Sequence, residues 1–214
     1  MTPTELWLPI GAAAFYLYDS CCLLWQNELI FTRGRSWQVH GGSQFRLGAR
    51  RLFVPNPLLP LRPQFQVRWS QNDVRDTADS PDALFRALRP IGLINQLQLA
   101  ILLLLPLVSW TWGAGIVLLA MFALFYLLSV TALVVIWRRR VVFALAPRGY
   151  WSLVLDALAC APFAINLTRK ISMRHGLAGN PLRFAAQHFD AATHAAMQQI
   201  VDARLQEEQA RQEN

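Results

Sequence analysis

The hydrophobic positions of this chain fall in long runs, separated by segments that carry nearly all of its charges. The first run, Leu6 to Trp25, contains 20 residues. On a helix Trp7 and Trp25 would stand about 27 Å apart, close to the roughly 30 Å thickness of bilayer hydrocarbon. Because the run is too long for the apolar core of a signal peptide, we expect a retained first transmembrane helix within residues 1–25.

The second run, Leu93 to Trp137, is 45 residues long and contains no charged residue. As one helix it would extend about 68 Å, more than twice the hydrocarbon thickness, so it must fold back on itself. Gly113 and Gly115 permit a turn near its middle. The pattern therefore predicts a transmembrane helical hairpin over residues 93–137.

A third apolar stretch, Tyr150 to Leu167, is interrupted by Asp156, Pro162 and Asn166. Both of its flanks are basic, and a crossing would place one basic cluster outside the cell. We therefore expect an interfacial or re-entrant helix over 150–167, within a basic segment 138–174. A fourth crossing is the alternative.

Residues 26–92 contain short alternating segments punctuated by glycine and proline, a pattern typical of β structure. Strands are predicted at 28–32, 36–40, 44–47, 50–54 and 64–69, arranged as an antiparallel meander. A short helix from Pro81 to about Arg89 is expected to link this insertion to the hairpin.

Residues 175–214 are predicted to contain one long amphipathic helix that begins at Asn180-Pro181 and continues through Glu208. Its apolar stripe is mostly alanine, which suits packing against another helix better than anchoring in a membrane.

The sequence thus predicts a mainly α-helical, polytopic membrane protein with three transmembrane helices. A small cytoplasmic β-rich insertion at 26–92 and a cytoplasmic carboxyl-terminal helix complete the predicted fold.

Composition and charge agree with a membrane location. Charged residues make up 15% of the chain, against about 25% in a typical soluble domain, which argues against a soluble enzyme. Lysine and arginine number 20 against 13 acidic residues. The basic residues are absent from the amino-terminal tail and the hairpin turn and frequent in 26–92 and 138–148. Because basic segments stay on the cytoplasmic side, this distribution indicates an inner (plasma) membrane protein with its amino terminus outside and its carboxyl terminus in the cytoplasm.

Five basic residues next to the apolar segments are expected to lie at the membrane surface, where they would contact anionic lipid headgroups. They are Arg138, Arg139, Arg140, Arg169 and Lys170.

Polar side chains inside apolar segments are candidates for function, because burying them in a membrane is costly. Asp19 either carries a proton or pairs with an arginine, or it makes a polar contact between helices, which we favour. Asp156 is expected to point to headgroup water or to a nearby arginine. Asn95 and Gln98 either bond neighbouring helices, the interpretation we favour, or line an aqueous vestibule.

No catalytic residue, metal site or cofactor is predicted. The chain has no phosphate-binding loop, no Gly-x-Ser-x-Gly and no His-Glu-x-x-His motif. Its three cysteines fit neither a disulfide framework nor a zinc pattern. Expected partners are the lipid bilayer and other membrane or cytoplasmic protein subunits; nucleic acid is not expected.

These observations favour a non-catalytic accessory or scaffold subunit of a larger membrane assembly. One alternative is a transport or channel component that uses Asp19 and the Asn95/Gln98 face. Another is a membrane-embedded enzyme that acts on lipid-like substrates with Asp156 or His40. Two stretches, Arg50–Pro57 and Cys160–Lys170, resemble specific motifs more than generic sequence. None of these interpretations explains them.

Overall fold

The computed structural model describes residues 4–68, 81–112, 115–175, 177 and 181–212. Predicted features at Trp69, Gly113 and Asn180 lie outside the described residues. The chain divides into two compact units. The helical unit comprises Met1–Cys21, Pro55–Pro63 and Ser80–His175, and the sheet unit comprises Cys22–Val54, Gln64–Asp79 and Gly176–Asn214.

The described part of the helical unit contains six helices. They are α1 (Thr4–Ser20), α2 (Pro81–Trp112), α3 (Ile116–Arg138), α4 (Pro147–Ala159), α5 (Ala161–Ile165) and α6 (Leu167–His175).

Two of these helices are long and apolar enough to cross a membrane, over Asp82–Thr111 and Ile116–Arg138. They correspond to the predicted hairpin. Among the described residues no third helix meets the same criteria of length and composition. Two such helices are weak support for the predicted membrane association, and they do not support a third span.

The first helix is shorter than predicted. It ends at Ser20, and Cys22–Leu24 form a strand that pairs with Arg51–Phe53. The apolar run does not distinguish a helix from a buried strand, and here the strand partner lies about thirty residues further along the chain.

Helix α2 is continuous where a short linker helix followed by a span was predicted. Pro90 lies inside it, and because proline has no N–H, the carbonyl of Arg86 loses its helical donor. The guanidinium of Arg139 donates to the carbonyls of Arg86 and Ala87, both at 3.2 Å. This contact supplies a donor to the carbonyl that the proline leaves without one.

The predicted helix over 150–167 is broken twice. Cys160 adopts an extended conformation between α4 and α5, and Asn166 separates α5 from α6. Pro162 in the first turn of α5 cannot donate to α4, which ends the continuous hydrogen bonding at this point.

The sheet unit confirms a small antiparallel β region with short strands close to the predicted positions. Its described elements are β1 (Cys22–Leu24), β2 (Glu28–Arg33), β3 (Trp37–His40), β4 (Arg46–Leu47), β5 (Arg50–Phe53), β6 (Gln64–Arg68), α7 (Pro181–His188) and α8 (Ala191–Gln212). The strands form two three-stranded sheets, in the orders β1-β5-β4 and β3-β2-β6. The predicted single meander is therefore wrong, because β2 pairs with β6 across more than thirty residues.

The predicted carboxyl-terminal helix is also divided in two. The Asp190 side chain accepts a hydrogen bond from the Thr193 amide at 2.7 Å, which makes it the amino-terminal cap of α8. Phe184 and Phe189, on either side of the break, contact Trp37 with ring centroids 5.2 and 5.6 Å apart. These rings form the aromatic core of the sheet unit.

Candidate functional site

The most deeply buried charge of the helical unit is Arg169 in α6, which is 1% exposed. Its Nη1 donates to Ser20 Oγ at 2.9 Å and to Asn166 Oδ1 at 3.0 Å. Its Nη2 donates to the carbonyls of Asn56 at 2.7 Å and Leu59 at 3.3 Å. The expected contact of Arg169 with lipid headgroups is therefore wrong, because four acceptors within the protein surround the guanidinium.

Arg169 brings together the two stretches whose composition looks specific. Asn56 belongs to the first stretch, and Asn166 and Arg169 belong to the second. Tyr16 in α1 adds a further contact by donating its hydroxyl to the Pro57 carbonyl. Within the proline-rich segment 55–63, the Asn56 and Leu59 carbonyls also accept the amides of Leu59 and Arg62, at 3.3 and 3.2 Å. The side-chain donors therefore add to the backbone hydrogen bonds of this segment.

Asp19 lies beside Arg169 but pairs with its neighbour. Its Oδ1 is 3.0 Å from Lys170 Nζ, and both side chains are mostly buried. Its Oδ2 accepts from Asn166 Nδ2 at 3.1 Å. Asp19 thus joins the end of α1 to the α5–α6 junction, as a contact between helices does, and its basic partner is Lys170 where the sequence suggested an arginine.

Asn95 and Gln98 are fully buried on α2. Asn95 Nδ2 donates to Thr168 Oγ1 at 3.0 Å, and Gln98 Nε2 donates to Ser129 Oγ at 2.8 Å. Each amide therefore binds a different neighbouring helix, α6 and α3 respectively. The two amide oxygens have no hydrogen-bond partner within the described part of the chain.

The remaining predicted residues do not join this network. Asp156 lies half-buried on α4, and Arg138 is exposed at the end of α3. The Arg140 guanidinium lies over the Trp137 ring, 4.1 Å from its centroid. Arg139 makes the α2 contact already described. The structure thus gathers Asp19, Arg169 and Lys170 into one cluster and leaves Asp156 and Arg138 apart from it.

The sheet unit contains a second buried arginine, Arg204 on α8, which sequence reasoning missed. Its Nη1 donates to the carbonyls of Gln26 and Glu28, both at 2.6 Å, and Nη2 donates to the Gly41 carbonyl. Burial lowers the pKa of Arg204 to about 10, so it remains charged at neutral pH. A single side chain thereby joins α8 to the β1–β2 connection, to the first residue of β2 and to the residue after β3.

Acidic side chains in the sheet unit are also paired. Glu207, one turn after Arg204, binds Arg51 Nη2 at 2.6 Å and Arg46 Nη2 at 2.7 Å. Glu28 is 3% exposed and accepts from Arg68 at 2.8 Å, from Gln66 at 2.8 Å and from the Trp25 amide at 2.9 Å. Burial alone would raise the pKa of Glu28, but these donors hold it below its ordinary value.

The stability of strand β2 is expected to fall in acid because of Glu28. A carboxyl whose pKa is lowered by folding stabilises the folded state above its unfolded pKa and loses that contribution as the pH falls through the folded pKa. We expect Glu28→Gln to remove about 1–2 kcal/mol at neutral pH and to flatten this acid dependence. Hydrogen exchange of the β2 amides between neutral pH and pH values below the ordinary glutamate pKa measures both effects.

Asp202→Asn, at an exposed position of α8, is the matched control and should leave the acid dependence of β2 unchanged. An identical acid dependence in Glu28→Gln and the natural chain would show that Glu28 does not cause it.

No metal-binding group of three or more His, Cys, Asp or Glu side chains occurs among the residues that the structure describes. The three cysteines are free thiols. Comparison of the chain with protein-family models, with curated proteins and with solved structures found no match in any of the three.

Proposed function

We propose that this protein is a non-catalytic integral inner-membrane protein that acts as an accessory or scaffold subunit of a larger assembly. The observation that carries this proposal is that buried polar side chains from different helices of the helical unit bind one another. Asp19 pairs with Lys170, Asn95 with Thr168 and Gln98 with Ser129. Groups used in this way hold helices together.

The membrane part of the proposal rests on α1, α2 and α3. The exposed surfaces of α2 and α3 are apolar over most of their length, with Leu103, Leu107, Leu119 and Leu127 all more than half exposed. Such a surface requires hydrocarbon or a protein partner around it. Helix α1, with 17 residues, is about 26 Å long and reaches the lower limit for a span, which supports it as the third crossing.

The segment α4–α6 enters this proposal as a re-entrant structure. Arg174 near the end of α6 donates to the Gly149 carbonyl at the start of α4, at 3.2 Å. The two basic ends of the segment are therefore adjacent, as they are when both remain on the cytoplasmic side. With the amino terminus outside, this arrangement leaves the sheet unit in the cytoplasm.

Cysteine labelling in intact cells tests the membrane proposal. Ser43→Cys and Gly115→Cys are introduced separately into a chain whose native cysteines are replaced by serine. We expect a membrane-impermeant maleimide to label position 115 from outside and position 43 only after permeabilisation. Labelling of position 43 in intact cells contradicts the orientation, and release of the protein by alkaline carbonate contradicts integral membrane insertion.

Purification in mild detergent tests the scaffold role. We expect the protein to retain other subunits in a fixed stoichiometry, whereas a monodisperse protein without partners contradicts this role.

The unpartnered amide oxygens of Asn95 and Gln98 favour a transport component as the second candidate, since such atoms can bind a polar solute. Proteoliposomes distinguish the two, because solute flux that Gln98→Leu abolishes would support transport.

A further inference from the structure

An apolar cavity of about 410 Å³ lies within the helical unit. Its lining residues come from α1, α2 and α3 and from the break between α4 and α5. Trp7, Gly11 and Phe15 line it from α1, and Cys160 lines it at the helix break.

The lining of the cavity excludes a polar occupant. None of the described lining residues is charged, and among their side chains only the Trp7 indole and the Cys160 thiol carry a polar hydrogen. A bound water needs two to four polar partners, so ordered water has little to hold it here. The volume lies within the range of about 300–1,000 Å³ that is typical of ligand sites, well above that of a packing defect.

The dimensions of the cavity match a hydrocarbon chain. From Trp7 to Phe15 the α1 wall extends about 12 Å at 1.5 Å per residue. One leaflet of a bilayer contributes about 15 Å of hydrocarbon. Leu103 and Leu104, exposed on α2 beside the lining residues Leu102 and Leu105, make the surface around the cavity apolar as well.

Gly11 shows that the wall leaves space for a ligand. A Cβ atom placed on Gly11 would have no atom of the protein within 4 Å. In a helix interior glycine is less favourable than alanine by about 1 kcal/mol. A larger residue at this position would therefore make helix α1 more stable.

We propose that this cavity binds one acyl chain of a phospholipid drawn from the surrounding bilayer. The inference rests on the proposed membrane location and extends it to a specific lipid site. The chain packs between α1 and the α2–α3 hairpin, against the break at Cys160. Each methylene transferred there from the bilayer exchanges one apolar environment for another, so retention of the lipid depends on the fit of the walls.

The test uses the full chain in bilayers of phosphatidylethanolamine and phosphatidylglycerol. A phospholipid with a photoactivatable diazirine in one acyl chain is added, and cross-linked peptides are identified by mass spectrometry. We expect adducts to concentrate on cavity residues such as Met121 and Cys160. Adducts spread evenly over exposed residues such as Leu119 and Leu127 overturn the proposal, because they indicate only lipid surrounding the protein.

Filling the cavity provides a second readout. Gly11→Phe places a ring in the cavity, and we expect at least about tenfold less co-purified phospholipid by native mass spectrometry. Ala123→Phe, at an exposed position of α3 that does not line the cavity, is the matched control and should retain the lipid. Equal retention in both variants contradicts the proposal, as does recovery of a free fatty acid in place of phospholipid.

These outcomes separate the two proposals. A protein that carbonate releases from membranes refutes the membrane location, whereas a protein that stays in the membrane with unselective adducts refutes the lipid site alone.

Discussion

Arg169→Leu is expected to destabilise the helical unit by at least about 3 kcal/mol, because it removes a buried charged group that donates to four acceptors. The acceptors are Ser20 Oγ, Asn166 Oδ1 and the carbonyls of Asn56 and Leu59. Thermal unfolding of the full chain in detergent measures the effect, and hydrogen exchange of the 56–62 amides shows whether the proline-rich segment detaches.

Arg148→Leu is the matched control for this prediction. Arg148 is exposed at the start of α4, so the same change in charge and volume there should alter stability by less than about 0.5 kcal/mol. Arg169→Lys keeps the charge but replaces the planar fork of the guanidinium, and an intermediate loss is expected. Equal stability of Arg169→Leu and Arg148→Leu would show that the buried contacts contribute nothing.

Arg204→Leu is expected to produce the largest effect in the sheet unit, a loss of about 3 kcal/mol in the local stability of α8. It deprives the carbonyls of Gln26, Glu28 and Gly41 of their donor. Hydrogen exchange of the α8 amides in the full chain measures this loss, since a detached helix exchanges faster than the sheets.

Two further variants distinguish loss of contacts from loss of charge. Gln206→Leu, at an exposed position two residues away, should leave exchange unchanged. Gly41→Ala retains Arg204 but places a Cβ 2.8 Å from Ile200 Cγ2 and 3.2 Å from the Arg204 guanidinium, so these α8 side chains or the Gly41 backbone must shift. Faster exchange in Gly41→Ala together with unchanged exchange in Arg204→Leu would contradict the role assigned to Arg204.

The helical hairpin and most of the strands could be predicted because their signals are local. A long charge-free run has few alternatives to an apolar helix, and short alternating segments bounded by glycine and proline favour strands. The prediction failed where pairing is distant. Cys22–Leu24 form a strand because they pair with β5. Strand β2 pairs with β6, which follows the proline-rich segment.

The candidate site was predicted only in part, for a related reason. Asp19 and Lys170 stand out individually, one as a carboxylate in an apolar run and the other as the single lysine of the chain. Their pairing at 3.0 Å depends on how α1 and α6 pack, and 151 positions separate them in the chain. No local pattern carries that information.

The sequence by itself determined which segments are apolar enough to avoid water and where the short strands lie, because burial imposes a period on neighbouring residues. The tertiary structure alone decided which of the many arginines are buried. Arg169 and Arg204 have the same chemistry as exposed Arg138 and Arg148, and they differ in having carbonyl acceptors from distant segments around them. A buried guanidinium is tolerated only where such acceptors replace its water, and folding is what brings those acceptors together.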